Sequence, residues 1–199
     1  MHPLGEEPTF NESMYFNLYD PKAGLGAFFR LGNRPNEGVG EMTVCIYLPG
    51  GRVAFMFDRP EVSTNDRFDA GGLAFEVIEP FSKLTVAYIG RALLMEDPLE
   101  LADPKAAFTS NPMVDVSAIL AYEGISPPFG GEPAEPREAP GEEFARGHYE
   151  QLVKASGTID VDGERFDLEA PGLRDHSWGP RTWQAPWYYR WLTANEGTE

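Results

Sequence analysis

Along most of this chain the apolar residues fall in short runs divided by turn residues, not at helical spacing. That pattern predicts an all-β fold. The runs predict strands over residues 13–19, 24–31, 41–48, 52–58, 73–78, 84–88 and 114–122, then 151–161, 164–169 and 187–194. Two tight hairpins punctuate them. Pro49-Gly50-Gly51 separates two apolar runs, and Asp162-Gly163 joins another pair. Asp-Gly suits a type I′ turn, whose two central residues need positive φ. Beside it Ile159 and Val161 alternate with Asp160 and Asp162, and Phe166 and Leu168 with Arg165 and Asp167. Each strand therefore has one wet face and one dry face. Helix is scarce. Over residues 97–108, Asp97 can cap, Pro98 can take the first helical position and Glu100 can reach back. Asp103-Pro104 then breaks the segment into two short turns.

A chain of 199 residues is one large domain or two small ones. It can bury about 70% of the surface its unfolded form exposes, so it needs no covalent staple. The single Cys45, in MTVCIYL, reads as a small buried hydrophobe. Residues 124–147 hold five Pro, five Gly and five Glu, too many breakers for a ladder. They read as a long loop, either a loose surface segment or a lid. The net charge of −16 argues against nucleic acid and against anionic membrane, both of which need clustered Lys and Arg. A neutral or apolar substrate is expected. The opening MHPLGEEPTFNE has neither a basic nor an apolar leader region, and no apolar run approaches the ~20 residues of a membrane helix. A soluble, cytoplasmic protein without a membrane span is expected.

Composition leaves the chemistry to one stretch. All four tryptophans lie between Trp178 and Trp191, within GLRDHSWGPRTWQAPWYYRWL. In an extended chain Trp187, Tyr189 and Trp191 would share a face, offering broad apolar contact with polar tips. Such a row, with Trp178 and Trp183, suits either a pocket for an apolar ligand or plain core packing. In the RDHSW run, Leu173, Asp175 and Ser177 would point one way, and Arg174, His176 and Trp178 the other. Asp175 and His176 therefore cannot form a dyad with each other. A buried Asp175 would have a raised pKa and act as a proton donor; an ionised Asp175 would pair with Arg174, Arg181 or backbone amides. His148, at the foot of the long loop, would approach a pocket mouth. His2 is terminal and carries no expected role. Three scattered histidines and one cysteine show no metal-ligand spacing, so no metal and no cofactor are expected. Nucleotide and nucleophile-elbow motifs are absent.

Three passages carry a resemblance: the G-L-R-D-H-S-W-G-P-R-x-W run, the opening MHPLGEEPTFNESMYFNLYD, and GGEP…FARGHYEQ. Together they resemble AttH-like proteins related to carotenoid 1,2-hydratase (hydroxyneurosporene synthase). The family's G-x-x-D-[HR]-x-W core falls on Gly172, Asp175, His176 and Trp178. The resemblance implies a lipocalin-like antiparallel β-barrel or β-sandwich with one or two short helical turns. It also implies a preference for isoprenoid- or polyketide-derived molecules. Relatives commonly carry two such domains in tandem, whereas this chain reads as one β-domain over residues 1–199. A fragment, a truncated product or a one-domain form are the alternatives, and an unpaired final strand would favour a homo-oligomer through edge pairing.

Three functions remain. In an enzyme, Asp175 would protonate an alkene, His176 or His148 would position water, and the rings of Trp178, Trp187, Tyr189 and Trp191 would stabilise the cation, giving hydration or cyclisation. In a carrier, the same residues with Trp183 and Arg174 would only hold a lipid or terpenoid. In an interaction domain, they would be structural.

Overall fold

The computed structural model describes residues 1–133, 144–182 and 191–194. Its strands are β1 (Phe10–Asp20), β2 (Leu25–Arg34), β3 (Val39–Tyr47), β4 (Val53–Asp58), β5 (Phe68–Ala70), β6 (Leu73–Glu79) and β7 (Lys83–Met95). After one helix, α1 (Pro104–Ser110), follow β8 (Met113–Gly124), β9 (Phe129–Gly131), β10 (Gly147–Val161) and β11 (Glu164–Pro180). Hydrogen bonding runs β4-β3-β2-β1-β11-β10-β8-β7, and β4 then pairs with β7. These antiparallel strands form a closed ring, with β6 and β5 continuing from β7 and β9 lying beside β10. Closure removes the free edges an open sheet would expose.

The alternating pattern sets the inside. Met14, Phe16 and Leu18 of β1 join Ala27, Phe29 and Leu31 of β2 and Val116, Ala118, Leu120 and Tyr122 of β8 in one buried cluster. Large rings fill it: Phe16 lies 5.1 Å from Phe75 and 4.8 Å from Tyr122, centroid to centroid. A second, smaller cluster sits outside the ring, where α1 and the preceding turn cover Cys45, Val53, Leu93 and Met95. Cys45 is buried there, and burial pushes its thiol up to about 11.

Local signals act as their chemistry requires. Asp162 and Gly163 both adopt positive φ in the β10–β11 hairpin. The helical segment is split at Asp103: Asp97 accepts from the Leu99 amide at 2.9 Å, and Asp103 from the Ala106 amide at 3.1 Å. Glu100 does not reach back; its carboxylate accepts from Asn111 instead. Several predicted strands are longer than expected, β7 and β11 most of all, and two short ones were missed. One of these, β9, lies inside the proline-rich stretch, where three residues suffice to pair with β10. The expected strand over residues 187–194 is corrected in part: residues 191–194 form no strand, and 187–190 lie outside the described residues. Among the described residues no helix is long and apolar enough to cross a membrane.

Where β1 and β11 meet, the ladder changes character. Regular pairing ends at Phe16 opposite Arg174. Beyond it the Asn17 side chain accepts from the Leu173 amide at 2.7 Å. Gly172 passes so close that a Cβ there would lie 2.1 Å from the Asn17 carbonyl oxygen. This contact holds the last third of β11 in position, and that segment carries the residues of interest.

Candidate functional site

The end of β11 has two chemically different faces, and the period of two assigns its residues as the sequence reading expected. Arg174, His176 and Trp178 point into the barrel; Asp175 and Ser177 point out. Opposite them in register stand Phe16, Met14 and Glu12 of β1 on the inside, and Tyr15 and Ser13 on the outside. On β10, Gln151, Tyr149 and Gly147 face in, while Glu150 and His148 face out.

The inner face is a buried polar network. Glu12 has no exposed surface. Its Oε1 lies 2.8 Å from His176 Nε2 and 2.9 Å from His2 Nδ1, and the His2 amide and Asn65 also donate to its carboxylate. Burial alone would raise this carboxyl, but hydrogen bonds from His176, His2 and Asn65 outweigh it and hold the pKa at about 2. Burial lowers the pKa of His176, with hydrogen bonding and charge from Glu12 partly opposing, so burial favours the neutral ring. Its other nitrogen, Nδ1, lies 3.1 Å from the Tyr149 hydroxyl. Arg174 donates to that hydroxyl at 3.3 Å and to Gln151 Oε1 at 2.9 Å, with its guanidinium 4.9 Å from the centroid of the Tyr149 ring. Trp178 donates to Glu132 at 2.6 Å and stacks on His2 at 3.8 Å.

Two expectations are corrected here. His2, expected to have no role, is bound into the interior network. Arg174 does not pair with Asp175, because the sheet lies between them. The sequence reading also missed Glu12, whose position within an alternating strand marks it as inward-facing once Met14 and Phe16 are placed inside.

The outer face carries the aromatic surface. Tyr15 and Phe28 lie 5.6 Å apart, Phe28 and Tyr47 6.4 Å, and Trp191 packs 4.8 Å from Tyr15. With Tyr19, Pro171 and Thr193, the Tyr15, Phe28 and Tyr47 side chains line a concavity of about 280 Å³. Asp175 lies directly across from Tyr15 in the ladder. Burial pushes its carboxyl up to about 6, although His148, Arg181 and Arg30 pull the other way. His148, Glu150 and Asp175 bring one ligand-type atom each within 4.8 Å of one another. A second concavity of about 290 Å³, lined by Arg34, Arg59, Arg181, Glu37 and Glu41, is polar.

The residues singled out in and around the tryptophan stretch therefore fall on two faces of the sheet. Trp178 and His176 lie inside the barrel among packed side chains, and Trp191, Asp175 and His148 lie outside it. Trp183, Trp187 and Tyr189 lie outside the described residues.

Asp175 has a measurable signature. Its folded pKa, about 6, stands above the ordinary aspartate value of 3.8, so folding favours the protonated form. Stability from this group is fully present below pH ~4 and is lost as pH rises to ~6. Asp175→Asn is expected to stabilise the protein by about 1–3 kcal/mol at pH 8 and to change little at pH 4, as read by urea denaturation at both pH values. Equal effects at the two pH values would contradict the burial of this carboxyl.

Comparisons with known proteins match the fold. A family model described as Domain of unknown function (DUF7064) matches residues 1–199. A crystal structure of a Nitrosomonas europaea protein provisionally described as an AttH is similar, with a TM-score of 0.51 at 14% identity. The similarity covers 89% of this chain and 53% of that one, so the chain spans about half of the neighbour's length. No curated protein sequence matches the chain.

Proposed function

The chain belongs to the Domain of unknown function (DUF7064) family, and from that premise we propose that it binds an isoprenoid- or polyketide-like small molecule on the outer face of its barrel. One observation carries this reading: the aromatic concavity lies on the same face of the sheet as Asp175, with Tyr15 linking the two. The rings of Tyr15, Phe28 and Tyr47 offer the concavity broad contact, with polar tips on the two tyrosines. Asp175, which does not itself line it, stands across the ladder from Tyr15, a combination that suits a mostly hydrocarbon ligand with one polar end. The resemblance of the GLRDHSW run to carotenoid 1,2-hydratase relatives supplies the chemical class. At about 280 Å³ the concavity is near the lower end of ligand pockets, so it suits a short prenyl-like segment. The barrel interior is a poorer place for a ligand, because buried side chains fill it.

Catalysis is the finer form of the same reading, favoured by His148 beside Asp175. Protonated Asp175 would deliver its proton to an alkene carbon, leaving a cation on the neighbouring carbon. Water would add there, and His148 would take the proton that water loses. In a carrier the same carboxyl would serve only as a hydrogen-bonding contact.

Titration with a farnesyl or geranylgeranyl alcohol, followed by tryptophan emission, tests the site. Saturable binding is expected, and Tyr15→Ala should weaken it about tenfold, since an aromatic contact contributes ~1.5 kcal/mol or more. Unchanged affinity in Tyr15→Ala would rule out this face. Asp175→Asn then separates the two forms of the reading: a hydratase loses turnover, and a carrier retains its affinity.

A further inference from the structure

His2 and His176 are 174 positions apart in sequence, yet both rings converge on one oxygen of a single buried carboxylate. A proton relay through Tyr149, His176 and Glu12 needs only one of those rings. The second is held in place by its own stack on Trp178. We propose that His2, Glu12 and His176 form a binding site for one divalent transition-metal ion of the zinc type.

The donor set fixes the class of ion. Two imidazoles and one carboxylate suit zinc, cobalt or iron(II), whereas calcium and magnesium require mostly oxygen donors. One donor atom from each residue lies within 4.8 Å of the other two, close enough for a single ion to reach all three after small rotations. Outer partners are already present. The Tyr149 hydroxyl can accept a hydrogen bond from a protonated His176 Nδ1, the tautomer that leaves Nε2 free to ligate, and Asn65 donates to the Glu12 carboxylate. Such second contacts orient ligating rings and carboxylates. Glu12 is ionised and fully enclosed, while the side chain of His2 is about a third exposed, which gives an ion an entry path from the His2 side. Because His2 precedes the first strand, the ion would tie the amino-terminal segment to the barrel and link metal content to stability.

The site lies on the opposite face of β11 from the aromatic concavity, so the two readings can fail separately. The test uses the full chain without a histidine tag, stripped with EDTA and dialysed against zinc. Elemental mass spectrometry should find one equivalent of zinc, and cobalt in its place should give a visible d–d band. His2→Ala should lose both signals while keeping its far-ultraviolet dichroism and its affinity for farnesyl alcohol. His148→Ala, on the outer cluster, should keep the metal. Wild-type zinc content well below one equivalent would overturn the proposal. Undiminished zinc binding in His2→Ala, or loss of zinc in His148→Ala, would do the same.

Discussion

Glu12→Ala should destabilise the metal-free protein by about 3–5 kcal/mol in urea denaturation, the cost typical of breaking a buried charged network from one side. The size follows from what is left behind. The His2 amide, the His2 and His176 rings and the Asn65 amide all meet this carboxylate. Deleting it leaves these groups without their common acceptor in a space that admits little water. Glu12→Gln should cost less, because one oxygen still accepts while the new amide opposes existing donors. The loss should also have a location. Hydrogen exchange in residues 1–9 should accelerate more than exchange in β7 and β8, because His2 is bound to the barrel through Glu12. A change below about 1 kcal/mol would show that the network is not closed as described.

Gly172→Ala is the second large effect expected, about 3 kcal/mol, at the upper end of the overpacking range. An added Cβ would meet the Asn17 carbonyl oxygen at 2.1 Å and its carbon at 3.0 Å. Both are backbone atoms, so no side chain can swing aside. β1 and β11 would have to separate, and the Asn17 side chain would lose the Leu173 amide. Gly38→Ala is the control: its φ is +73° but nothing lies within 4 Å, so only backbone strain of about 1 kcal/mol applies. Urea midpoints of the two variants should differ clearly. Equal shifts would mean that β1 and β11 are not in this close contact. The glycine that opens the GLRDHSW run therefore has a packing reason that needs no ligand.

Much of the fold was legible because its signals are local. The Asp162-Gly163 turn, the two Asp-Pro helix starts and the wet–dry alternation of β10 and β11 each need only a few neighbouring residues. The division of Arg174, His176 and Trp178 from Asp175 and Ser177 followed from the same period of two. What that period cannot supply is which face turns inward. At the end of β11 nearly every residue is buried, because the barrel packs one face and further chain lies against the other. A pattern without a wet side leaves the choice open. His2 was unreadable for a different reason: its partners Glu12, Asn65 and Trp178 are fixed by tertiary structure, and a histidine near a terminus carries no period. The aromatic face was partly legible. Trp191 was flagged, but Tyr15, Phe28 and Tyr47 looked like ordinary alternating strand residues until β1, β2 and β3 were placed side by side.

The likeness to the Nitrosomonas europaea structure, at 14% identity, supports the architecture alone. The chemistry depends on residues of this chain, and the location of the ligand is its central claim. Photo-crosslinking with a diazirine-bearing farnesyl probe, followed by peptide mapping, tests that location directly. Saturable labelling of β1 and β2 at Tyr15, Tyr19 or Phe28, competed by unmodified farnesyl alcohol, is the predicted result. Labelling confined to interior residues such as Phe16, Phe75 or Tyr122, or labelling that unmodified alcohol fails to compete, would contradict it.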